Sequence, residues 1–458
     1  MSDKKYGRRK LRELKLRFSD SIKHSAMLRA LAGSVCAVWG CFSGNVESRL
    51  WRYVRGLEIA SPYGIWLPVK QWLRMCRGFD NPEVWASIVR RSGRYEGVLS
   101  KDPGLTRSIV LKSPSSREER GVLLMYFEYN LARMLLGLGD LELKKLQQSY
   151  HLVFASSWSP TDYALLCLAG AKLTESLFVQ VSNHQEEWQV KELHPNLIST
   201  GLLPCDWINP EVFTPKKFEE RETDIIMVAN WGEFKRHWEF FKALGELPDH
   251  LSVVLIGQKE GGRDMGYIQR LAQFYGVRQR LSFYESLGIN EVSNHLCNAK
   301  VALIFSRREG GCVAAVEALF AGCALGMRAD AHVGSAAHIN RRTGLLLRPG
   351  HLGGDLLRLL ELAPELEPRE WAVESITHEI TRARLNETVR NSEISAGRPW
   401  THDLAQIEWR PYASYSRVVD QERFLPDYEF LNEVDPAVFG GLLEQFGGRR
   451  SVAVAKAG

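Results

Sequence analysis

Residues 304–323 read IFSRREGGCVAAVEALFAGC. Glu309 and Glu317 enclose seven residues, two glycines follow the first, and Glu317 is the only charge between Gly310 and Cys323. A carboxylate in so apolar a helix costs several kcal/mol unless it is paired or shifts its pKa. Glu317 therefore either meets a structural partner or serves a ligand. The preceding KVALIF (Lys300–Phe305) reads as a buried strand, which puts Glu309 in the loop at a strand's carboxyl end. Gly310 and Gly311 let the backbone approach a ligand closely. A helix beginning near Cys312 and Val313 offers free N–H groups and a positive dipole end, a ready phosphate site. Eight helical residues rise about 12 Å at about 1.5 Å each, a distance similar to that between two hydroxyl-rich rings flanking a pyrophosphate.

Around this stretch, short apolar runs alternate with helical patterns. Strands are expected at 224–228, 251–256, 280–284, 300–305 and 324–327, and a looser alternation precedes them at 107–112, 121–128, 151–156 and 177–182. Such alternation argues parallel sheets with crossover helices, an α/β fold. Leu203–Thr223, with three prolines among polar residues, is the best linker. The expected organisation is a basic, mostly helical extension over 1–100, a first Rossmann-like βα domain over 101–205, a hinge over 206–223, a second Rossmann-like βα domain over 224–360, and a helical region over 361–458. Ligands of open α/β sheets sit at the carboxyl ends of strands, here in a cleft between two domains.

Composition bounds the reading. With 458 residues, 45% hydrophobic and 25% charged, the chain has the balance of a globular protein of two or three domains. The longest apolar run, Ala30–Phe42, is too short to span a membrane and suits a core or interfacial helix. Eight cysteines without a C-x-x-C pair or zinc spacing read as reduced thiols of a cytoplasmic protein. Residues 1–30 hold ten Lys/Arg against three Asp/Glu, and Leu11, Leu14, Phe18 and Ile22 recur at helical spacing. This segment reads either as an amphipathic helix on an anionic membrane surface or as a solvated tail. No basic stripe continues elsewhere, which argues against nucleic acid as a partner.

The glutamate pair resembles the E-x7-E signature of retaining family 4 (group 1) glycosyltransferases of the GT-B fold. Flanking segments extend the likeness: IIMVANWGEFKRHW (225–238), LPCDWINPEVFTP (203–215) and DAHVGSAAHINRRTGLLLRPG (330–350). The resemblance implies two Rossmann-like domains facing across a cleft. It implies that Glu309 contacts donor-sugar hydroxyls, that Lys235 holds the donor pyrophosphate, and that Glu317 contacts the ribose. Donor contacts are expected from Asn230, Lys235, Arg236, Glu309, Gly310, Gly311, Cys312, Val313 and Glu317. Asn230 stands where the family usually has an arginine, and Arg236 is the neighbouring cation that could supply that charge. Glu128 is the candidate acceptor-side catalytic group.

The expected activity is transfer of a hexose, with retention, from a nucleotide-sugar to a cell-surface glycan or lipid-linked acceptor, beside the inner face of a membrane. No cofactor or metal is expected: there is no D-x-D, no P-loop and no complete G-x-G-x-x-G. Charge on the leaving diphosphate would fall to Lys235 and the helix amides. Two other readings stand beside this one: a scaffold of a polysaccharide-assembly complex without turnover, and a nucleotide-sugar epimerase.

Overall fold

The computed structural model describes residues 14–15, 18–61, 66–77, 79–99, 107–115, 118–409 and 412–447. The remainder, including most of the basic segment before residue 18, lies outside the described residues. The chain divides into two compact units, one built on residues 25–207 and 378–452, the other on 1–24, 208–377 and 453–458.

The first unit holds a five-stranded sheet in the order β1 (Ser108–Lys112), β2 (Gly121–Tyr126), β3 (Tyr150–Ala155), β4 (Leu177–Gln180), β5 (Leu197–Ser199). Strands β2 to β5 run parallel, but β1 is antiparallel to β2. This corrects the expected all-parallel arrangement. Residues 113–120 are too few for the dozen or more that a parallel crossover requires. Every residue of β1 to β4 is buried, so these strands carry no polar alternation. Helices Ala26–Cys41 and Val46–Ala60 pack tightly: a Cβ on Gly33 would stand 2.7 Å from the Gly56 carbonyl oxygen. The opposite side of Ala26–Cys41 exposes Met27, Leu28, Leu31, Val35, Val38 and Trp39. Among the described residues no helix is long and apolar enough to cross a membrane. The region after residue 378 adds helices and a short hairpin, β12 (Ile407–Trp409) with β13 (Ala413–Tyr415).

The second unit is a six-stranded parallel sheet. Its strands are β6 (Thr223–Val228), β7 (Ser252–Gly257), β8 (Arg280–Glu285), β9 (Ala299–Ile304), β10 (Ala324–Arg328) and β11 (Gly344–Leu347), in the spatial order β11-β10-β9-β6-β7-β8. The five strands expected here are all present, joined by β11. Counted from β6, the order is that of a doubly wound nucleotide-binding fold, with the direction of winding reversing between β6 and β9. The central strands are buried, whereas β8 at the edge is mostly half-exposed. Phe240, Phe241, Phe305 and Leu303 fill the core beside them. The fold class is α/β, with a helical N-terminal region.

Candidate functional site

Two loops leave the carboxyl ends of β6 and β9 at the point where the winding reverses, the place such sheets bind ligands. The first carries Asn230, Lys235 and Arg236; the second carries Ser306, Arg307, Glu309, Gly310, Gly311 and Cys312. Sequence positions about 75 apart are thereby brought together: Lys235 Nζ donates to Glu309 Oε1, and the side chains are only 11% and 12% exposed. Burial alone would lower the lysine's pKa, but the Glu309 carboxylate outweighs it and holds Lys235 above its ordinary value.

The second loop is fastened to residues 332–335. Glu309 N–H donates to the His332 carbonyl at 3.1 Å, and His332 N–H to Arg307 at 2.7 Å. Gly334 and Ser335 N–H groups donate to the carbonyls of Gly310 and Gly311 at 2.9 and 3.1 Å. The DAHVGS segment thus braces the glutamate loop. Four buried side-chain atoms in this braced pair have no hydrogen-bond partner among the described residues: Ser306 Oγ, Arg307 Nε, Glu309 Oε2 and Ser335 Oγ. Buried polar atoms are nearly always satisfied, so a group of exceptions at the carboxyl end of the sheet calls for a ligand or ordered water.

The helix after this loop spans Val313–Phe320, with Cys312 before it in the left-handed region (φ 61°) and no side-chain cap. Ala315 N–H is taken by the Cys312 carbonyl at 3.0 Å, so the helix dipole and the other first-turn N–H groups are what this end offers an anion. Cys312 is no nucleophile, because burial and the nearby Glu309 push its thiol up to about 12. Glu317 lies on this helix between buried Val316 and Ala318 and is itself half-buried. The helical turn lifts it off the sheet-facing side.

Asn230 closes its own turn by accepting from Gly232 N–H at 3.1 Å. Arg236 adopts the left-handed conformation (φ 60°) and bonds Glu239 and Asp20. Trp231 is packing: it is fully buried and donates to Glu285 at 2.6 Å. Glu128 belongs to the other unit. It opens the helix Glu128–Gly137 rather than ending β2, and it accepts from the backbone of Ser157 and Trp158 at 2.9 and 3.3 Å. Burial raises its pKa against those bonds. The preceding Phe127 has φ 68°, a strained conformation for an aromatic residue.

Sequence reasoning missed Ser306, Arg307, Ser335 and Asp20. The first two adjoin Glu309 and could have been marked by proximity. Ser335 lay within a quoted segment but had no individual signal. His237, also missed, is buried beside Lys235, which with burial pushes its pKa down to about 3 and keeps it neutral.

No curated protein matches this chain. Solved structures resemble it distantly. A sucrose-phosphate synthase from Thermosynechococcus elongatus aligns at 18% identity over 60% of this chain and 74% of its own, with a TM-score of 0.48. The pneumococcal O-GlcNAc transferase GtfA, solved with UDP and GlcNAc, aligns at 15% over 57% and 55%, with a TM-score of 0.43. Anabaena HepE, solved with UDP and glucose, aligns at 13% over 59% and 78%, with a TM-score of 0.44. At these identities and scores the likenesses add nothing to the sheet order and site geometry. A family model does match: residues 209–353, which contain β6 to β11 and both site loops, fit the model of the glycosyl transferases group 1.

Proposed function

We propose that the chain is a retaining glycosyltransferase that moves a hexose from a nucleotide-sugar donor to a glycan or lipid-linked acceptor. The observation that carries this reading is the group of unsatisfied polar atoms around the Lys235–Glu309 pair, at the winding reversal of the group 1 segment. In this reading Glu309 Oε2 accepts from a donor-sugar hydroxyl, and Lys235 with the Val313 helix amides faces the diphosphate. Glu317, about one turn further along the same helix, meets the ribose. As the glycosidic bond breaks, charge develops on the leaving diphosphate, where fixed cations and amides stabilise it. The leaving phosphate takes the acceptor's proton. The chain's own cations and amides serve the role that a divalent metal serves elsewhere.

Membrane association belongs to the same proposal. The exposed apolar face of Ala26–Cys41, with Phe42 82% exposed just beyond it, suits shallow insertion, and the basic composition of the first thirty residues suits an anionic surface. In this reading the chain works peripherally at the inner face of a membrane, near lipid-linked acceptors.

The test is thermal stabilisation by UDP, GDP, ADP and their sugar conjugates, on the wild type and on Glu317→Ala. A ligand at about 100 times its Kd adds about 2.7 kcal/mol. A shift from one nucleotide, lost in Glu317→Ala, supports the reading and names the base; no shift from any nucleotide with folded protein removes it. A scaffold without turnover is favoured by Asn230, whose side chain is spent on its own turn. It predicts nucleotide binding with neither transfer nor donor hydrolysis.

A further inference from the structure

Three arginines stand at the carboxyl ends of adjacent strands: Arg236 after β6, Arg307 after β9 and Arg328 at the end of β10. The sheet-bearing residues 208–377 supply two acids to them. Glu239 accepts from Arg236 at 2.9 Å and pairs with Arg328 at 2.5 Å; Asp330 pairs with Arg328 and Arg307, each at 2.9 Å. The third acid comes from far away in sequence. Asp20 lies between Arg236, to which one oxygen is bonded at 3.2 Å, and Arg307 at 3.0 Å, closing a ring of alternating charges. Burial alone would raise the Asp20 pKa, yet the two guanidinium groups hold it below the usual carboxylate range.

We propose that Asp20 is an internal stand-in for a ligand's anionic group, closing the Arg236–Arg307 pair until a diphosphate displaces it. The inference rests on the nucleotide-sugar reading for the identity of the ligand, and on four observations for the site. Without Asp20 the ring carries three cations and two anions, so it attracts an anion. Arg307 Nε is buried without a hydrogen-bond partner among the described residues even with Asp20 in place, so the pair is not saturated. Arg236 holds a left-handed backbone, a cost that surroundings must maintain. Finally, the helical residues 18–24 bury little apolar surface: Phe18 is 71% and Ile22 45% exposed, which leaves charge as the principal tether. The site lies between the two loops that hold Lys235 and Glu309, so the anion that replaces Asp20 is the donor's diphosphate. Arg307 is thereby a donor-binding residue beside Arg236.

The experiment compares the full chain, Asp20→Asn, and Asp20→Asn with Arg307→Gln, titrated calorimetrically with inorganic pyrophosphate, UDP, GDP and ADP. Asp20→Asn keeps the side-chain size while removing the competing charge. Pyrophosphate is expected to bind Asp20→Asn about tenfold more tightly than wild type, a gain lost in the double variant. Equal or weaker binding to Asp20→Asn, or no pyrophosphate binding to any of the three, overturns the proposal. Nucleotides separate it from the reading beneath it. Equal binding of one nucleotide to wild type and Asp20→Asn keeps the donor site and discards the stand-in. A pyrophosphate gain with no nucleotide bound keeps the anion site and discards the nucleotide-sugar reading.

Discussion

Lys235 and Glu309 form a buried ion pair between the loops of adjacent strands, and the second oxygen of Glu309 has no partner among the described residues. The pair holds the two loops in register while leaving one carboxylate oxygen for a ligand. Breaking a buried pair on one side strands a charge, typically at 3–5 kcal/mol, whereas replacing both members costs much less. Lys235→Met is therefore expected to lower stability by about 3 kcal/mol, and the double variant with Glu309→Gln to recover at least half of that. Urea denaturation measures both. Additive losses would show that the two side chains are not coupled. Glycosyl transfer should be lost in all of these variants.

The sheet that carries the site depends on close approach between β10 and β11. A Cβ placed on Gly344 would stand 1.9 Å from the Leu325 carbonyl oxygen, a backbone atom that cannot swing away. Gly344→Ala is expected to cost about 3 kcal/mol or more. A denaturation midpoint within error of wild type would show that β11 shifts freely.

Acid stability has a local source in the first unit. Glu119 is buried with Lys112 at 2.9 Å and accepts from Thr401 N–H at 2.6 Å and its hydroxyl at 2.7 Å. Burial opposes ionisation, but the Ser115 hydroxyl, which also donates to it, and then Lys112 and Thr401 prevail and hold its pKa down to about 2, against an ordinary 4.5. A depressed carboxylate contributes stability that is fully present above the unfolded pKa and lost as pH falls through the folded one. The expected window is pH 4.5 to about 2, with a loss on the order of 3 kcal/mol at about 1.4 kcal/mol per unit. Glu119→Gln should flatten this limb of a pH–stability profile; an unchanged slope would place the acid sensitivity elsewhere.

Membrane docking predicts a charge-sensitive face. Val35→Asp and Val38→Asp fall on exposed positions of Ala26–Cys41, 63% and 58% accessible, so neither disturbs the core. Together they are expected to reduce co-sedimentation with phosphatidylserine-containing vesicles at least tenfold, with an unchanged melting temperature. Retained binding would assign the membrane contact to the basic segment alone.

The strands of the second unit were legible because buried parallel strands leave continuous apolar runs, as in Ile225–Val228, Val253–Ile256 and Val301–Ile304. The glutamate loop was legible for the same reason: its position after a strand and before a glycine pair follows from short-range pattern. The reversal of β1 was also encoded, in the brevity of residues 113–120, but apolar content alone does not show strand direction. How deeply Glu317 is buried was not legible, because composition records how apolar a helix is, while burial depends on which side meets the sheet.

Asp20 marks the limit of that legibility. It is 216 residues from Arg236 and 287 from Arg307, and no local pattern links an acid in a basic segment to either. The chain's order of residues specified the elements, because periodicity and turn chemistry act over a few positions. The partners of charged side chains were decided only in the fold, because Coulomb attraction and desolvation depend on where loop ends lie in space.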